Sequence, residues 1–166
     1  MFFLRWTLFQ GIIIISLAVL AYIADLFKTE IAIPASSSME VSGSMLMTFL
    51  FITAVIGLLS LLMYFQTKKS HTFLKHPLWD KMYVLMPVVF AVSFVLIFFL
   101  IDSVSDFIEN HRWIIYIMIY YMLFLINIIV LSFIHKAKRN TIPNENKIMF
   151  SFVWTTLILF VIYFLL

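Results

Sequence analysis

Three sets of side chains in this sequence have the types and spacing to do chemistry. In the serine-rich stretch SSSMEVSGSM, Ser36 to Met45, a hydroxyl such as that of Ser42 or Ser44 becomes a nucleophile when a base takes its proton. The imidazoles of His71, His76, His111 and His135 become metal ligands or general bases when they converge. The third set is a series of polar or helix-loosening residues inside apolar runs: Gln10, Ser60, Pro87, Tyr116, Tyr120, Asn127 and Thr155. What each set can do depends on where the surrounding elements place it.

Those elements are apolar. The 166 residues are 64% hydrophobic and 11% charged, with 19 Phe, and too few polar residues remain to cover a water-soluble fold. Five apolar runs stand out, about 6–27, 46–65, 82–101, 113–134 and 148–166. At about 19 to 22 residues each, they are long enough to cross a hydrocarbon core of roughly 30 Å as helices, and they lack the alternation of a membrane barrel. The first run is too long for a secretory signal, and Asp25, Lys28 and Glu30 precede the candidate cleavage site near Ala35, so it is expected to remain as a span. With no cysteine, disulfides and thiolate metal sites are excluded.

Charge orients the runs. Arg5, Lys68, Lys69, Lys75, Lys81, Lys136, Lys138, Arg139 and Lys147 fall on one side of the membrane, and only Lys28 and Arg112 on the other. The positive-inside rule makes the first side cytoplasmic. The expected fold is therefore an all-α integral membrane bundle of five transmembrane helices, a single domain over residues 1–166, N-terminus cytoplasmic and C-terminus outside. The net charge of +3 follows from these loops and calls for no nucleic-acid partner. Trp6, Tyr64, Trp79, Tyr83 and Trp113 lie near span ends, where amphipathic rings anchor at the interface.

On this map the serines lie in the exterior connector. Ser42, Ser44 and Met45 resemble the Ser-x-Ser-Met element that type I signal peptidases carry just outside a membrane anchor. That resemblance, four residues long, implies a serine–lysine dyad, but the exterior lysine is Lys28 and another span begins at Leu46. The stretch is expected to be a polar crossing. His111 and His135 bracket the fourth run, about 36 Å apart along a straight helix, and cannot share a ligand. His71, His76 and His135 share the cytoplasmic side with Asp80 and Glu145, without the helical spacing of a metal pair. Enzymatic chemistry would have to rest on interfacial groups such as His71, His76 and Asp80; no cofactor motif or metal site is expected.

Two membrane-surface features follow. The segment KKSHTFLKHPLWDKMY, Lys68 to Tyr83, mixes lysines with Phe73, Leu74, Leu78 and Trp79, and is expected to lie on the headgroups with these apolar residues dipping inward. On the exterior side Asp25, Asp102, Asp106 and Glu109 would form either a cation-attracting mouth or a solvated acidic rim.

Inside the runs no ionisable group approaches the midplane, which argues against a pump or an ion-coupled carrier. Tyr116, Tyr120 and Asn127 fall within about 40° of one another on the fourth helix. Thr53, Gly57 and Ser60 form a small-residue face on the second, and Gly11, Ala18, Ala21 and Asp25 a looser one on the first. Counted from the cytoplasmic ends, Gln10, Ser60, Pro87, Asn127 and Thr155 lie roughly 6 to 11 Å into the membrane. They are expected to form either a hydrogen-bonded packing layer or an inner-leaflet polar pocket. The first alternative fits a non-enzymatic protein of a bacterial cell membrane that touches the lipid bilayer and another membrane protein, or itself, through its helices. It would serve as an accessory subunit or an immunity-type protein. The second fits a small transporter or channel subunit.

Overall fold

A computed structural model describes residues 2–27, 43–70, 72–101, 111, 113–138 and 141–165. Among them it forms five α-helices and no strand: α1 (Phe2–Leu26), α2 (Gly43–Lys69), α3 (Trp79–Ile101), α4 (Trp113–Ala137) and α5 (Asn144–Leu165). A 3-10 turn, Phe73–Lys75, sits between α2 and α3. All five helices are long and apolar enough to cross a membrane, as expected of a multi-pass membrane protein.

The helices run past the apolar stretches at the lysine-rich end. The second run ends at Phe65, but α2 continues to Lys69, and α4 continues past Ile134 to Ala137. Apolarity ends at the hydrocarbon boundary, whereas backbone hydrogen bonding does not. Basic side chains in a last turn also complement the negative end of the helix, as Lys68 and Lys69 do on α2 and His135 and Lys136 on α4. The starts of α3 and α5 are marked by proline. His76, which precedes Pro77, is extended at φ −65° and ψ 137°, as a residue before proline must be. Its Nδ1 accepts a hydrogen bond from the Leu78 amide at 3.3 Å, and Asp80 in the first turn of α3 suits the positive helix end.

Three helices make the core: α2 and α4 each pack against α5 and against one another. The outer two each have one main neighbour, α2 for α1 and α4 for α3. On α1 Ile13 and Ala24 are buried, and Leu17 and Leu20 pack against Val55, Ile56, Leu59 and Leu123. This differs from the small-residue face read from the sequence: Ala18 is exposed, and a Cβ placed on Gly11 would meet nothing within 4 Å. The small residue buried on α1 is instead Ala24, at 1% exposure.

The segment between α2 and α3 also departs from expectation. Leu74 and Trp79 are buried, packed with Met63, Ile128, Leu131 and Ile148, and Phe73 lies against them. Of the four apolar residues expected to dip into the headgroups, Leu78 is the one that is exposed. The turn plugs the base of the bundle, because α2 and α3 do not pack along their lengths and leave a gap that apolar side chains fill. Aromatic clusters secure the ends: Trp6, Phe9 and Phe65 between α1 and α2, and Phe49, Phe160 and Phe164 between α2 and α5.

Candidate functional site

Asn127 lies at the meeting point of the three core helices. Its Nδ2 donates to Ser60 Oγ on α2 at 2.8 Å. Its Oδ1 accepts from Ser151 Oγ on α5 at 2.7 Å and, more weakly, from Thr155 Oγ1 at 3.4 Å. The Ser151 hydroxyl also stands 3.0 Å from the Asn127 backbone carbonyl oxygen. All four residues are buried, Asn127 at 1% exposure and Thr155 at 0%.

An unpaired amide at this depth would be expensive, and each hydroxyl here reduces that cost while tying one helix to another. The geometry is that of a closed packing layer. Ser60 borders an apolar groove of about 510 Å³ between α2 and α5, shared with Gly57, Tyr64, Met149 and Val153, but Asn127, Ser151 and Thr155 do not reach it. A Cβ added at Gly57 would meet Phe152 at 3.6 Å, ordinary van der Waals contact.

Of the residues expected at one depth, the structure gathers Ser60, Asn127 and Thr155. Gln10 is elsewhere: its Nε2 donates to Gln66 Oε1 at 2.9 Å. Gln66 stands six residues beyond Ser60 on α2, about 9 Å nearer the lysine-rich end. There the Gln10–Gln66 pair joins Lys69 Nζ, which donates to Thr7 Oγ1 at 3.2 Å, in clipping α1 to α2. Pro87 is on α3, whose main neighbour is α4 and not the helices that carry Ser60 and Thr155. Tyr120 holds α1 instead, its hydroxyl donating to the Leu17 carbonyl at 3.0 Å, and the rings of Tyr120 and Tyr116 both lie against Phe51. Sequence reasoning missed Ser151. It lies one helical turn before Thr155, at the same face of α5, which is the signal that would have found it.

The acidic mouth is represented by Asp25 alone, since Asp102, Asp106 and Glu109 lie outside the described residues. Ser42 and Lys28 lie outside them as well. Asp25 Oδ1 is shielded from solvent and has no hydrogen-bond partner among the described residues.

At the lysine-rich end His76 and His135 do approach a common space with Asp80, while His71 lies outside the described residues. Among the described residues no three His, Asp or Glu side chains converge as a metal site. On the surface there Lys68 pairs with Glu145 at 3.0 Å, and Lys136 Nζ stands 3.2 Å from the centre of the Tyr83 ring.

One surface is conspicuous by its lack of cover. From residue 80 to residue 100, α3 has no buried residue, and Phe98 and Phe99 are 67% and 72% exposed. Within this apolar face the Ser93 and Tyr121 hydroxyls share a hydrogen bond of 2.8 Å between α3 and α4, itself exposed. Comparison of the chain with protein-family models, with curated proteins and with solved structures finds no match.

Proposed function

We propose that this chain is a non-enzymatic multi-pass protein of a bacterial cytoplasmic membrane, its lysine-rich end in the cytoplasm. It acts by helix contact with a membrane partner, which is either another membrane protein or a second copy of itself. Service as an accessory subunit or an immunity-type protein fits this mode of action. The observation that carries the reading is α3. It packs chiefly on one neighbour, is unburied over most of its length, and carries a polar point, Ser93 with Tyr121, on its apolar surface. Association in lipid relies on packing and interhelical hydrogen bonds, and this face offers both. The alternative, a transporter or channel subunit with an inner-leaflet pocket, draws less support because Asn127 and its partners are packed on one another.

Photoreactive residues placed singly at Val88, Val92 and Phe99 test the reading, with Val153 and Ile158 on α5 as controls. Crosslinking in native membranes should give a defined protein adduct from the α3 positions. A chain that stays monodisperse and partner-free in several mild detergents, with α3 positions that label lipid alone, overturns it.

A further inference from the structure

The base of the bundle encloses a polar cavity of about 280 Å³. Lys75, His76, Asp80, His135, Asn144 and Lys147 line it, so two lysines and two imidazoles face one carboxylate. Lys147 is 1% exposed and His135 5%, which sets the floor of the cavity in the packed interior rather than among solvated loops. Lys75, His76 and Asp80 are exposed at the opposite wall.

Lys147 is unusually placed for a cation. It stands in the first turns of α5, whose positive end disfavours it, and burial of an ammonium group costs several kcal/mol before partners offset it. Its Nζ donates to the side-chain oxygen of Asn144 at 3.2 Å. An anion in the cavity would be attracted by Lys147, by Lys75 and by the end of α5 together. Asp80, at the start of α3, is the opposing charge in the same cavity.

His76 lines a second space as well. On its other side is a cleft of about 470 Å³, polar at Gln66 and Thr72 and apolar at Leu62, Met63, Met82 and Phe124. A cationic cavity beside an apolar cleft, at the level where helices leave the hydrocarbon, matches a molecule with a phosphate head and a hydrocarbon tail. We propose that the base of the bundle binds a phosphate group. Lys147 and Lys75 are its cationic contacts, His76 and His135 are hydrogen-bond donors, and the acyl chain of a phospholipid lies in the adjoining cleft. A free phosphoester presents the same head without the tail.

The test uses the full-length protein purified in neutral detergent. Native mass spectrometry reads lipid retention, and the thermal midpoint reads stabilisation, for phosphatidic acid, for phosphatidylcholine of the same chains and for inorganic phosphate. Phosphatidic acid should be retained and raise the midpoint where phosphatidylcholine does not; a response to inorganic phosphate alone assigns the site to a free phosphoester. Replacing the exposed pair, Lys75→Ala with His76→Ala, should cut retention about fivefold or more, and Lys147→Met should do the same. The basic pair Lys81→Ala with Lys138→Ala, outside the cavity, should leave retention unchanged. Equal retention of both lipids with no phosphate response overturns the proposal. So does a loss at Lys81 and Lys138 as large as that at Lys75 and His76, because it would reflect the general charge of this end.

Discussion

Ser151 holds Asn127 at two points, its hydroxyl lying 2.7 Å from the side-chain oxygen and 3.0 Å from the backbone carbonyl oxygen of the same residue. Asn127 is thus fixed in both rotamer and register against α5 while its Nδ2 reaches α2. Replacement of Asn127 by Leu removes the acceptor of Ser151 and Thr155 and the donor to Ser60. Hydroxyls on helices can turn to the carbonyl four residues back, which limits the loss. The expected destabilisation is about 1–3 kcal/mol, measured as a lower thermal or denaturant midpoint in detergent. An unchanged midpoint would show that the layer does not hold the helices.

Thr155 is the weaker partner at 3.4 Å, so Thr155→Val should cost below about 1 kcal/mol. The ratio of the two losses checks whether Ser151 and Ser60 carry most of the layer.

Gly57 tests the small-residue face of α2. A methyl group there meets Phe152 at an ordinary 3.6 Å, and alanine restricts the unfolded chain more than glycine does. Gly57→Ala should therefore be neutral or stabilising by up to about 1 kcal/mol. Gly57→Leu, which adds three more carbons beside Phe152 at the edge of the groove, tests how much further room that face has.

Leu74 distinguishes a plug from a surface segment. It is 1% exposed and packed in the basal core, so Leu74→Ala should cost about 2–4 kcal/mol. Leu78, three residues outside the 3-10 turn and 61% exposed, should tolerate alanine with little change. Equal, small effects at both positions would return the segment to the headgroup surface.

The Lys68 to Glu145 pair is a control of opposite kind. Both side chains are about a third exposed, at 35% and 31%, and Glu145→Gln should leave the thermal midpoint nearly unchanged, with any effect smaller in high salt.

The helices were legible in the sequence because a membrane imposes one length and one composition on every span, and residues such as Trp113 and Trp79 mark the ends. The pairing of Asn127 with Ser60 and Thr155 was half legible: depth along each helix is a matter of counting, so residues at one level can be named. Which of them touch is decided by helix neighbours, and nothing in the spacing said that α3 stands apart or that α1 sits lower against α2. Gln10 and Pro87 were grouped with the layer for that reason. Leu74 and Trp79 were misplaced because an apolar residue beside lysines satisfies a headgroup and a protein core alike; only the gap between α2 and α3 decides between them.

The layer around Asn127 also has a timetable. Two of its four members, Ser151 and Thr155, belong to α5, which is made after the helices that carry Ser60 and Asn127. Until α5 enters the membrane, the Asn127 oxygen lacks the hydroxyls it is built to receive, and the three-helix core cannot close. The core thus closes only when α5 arrives, which makes the nascent protein most exposed to quality control just before that step.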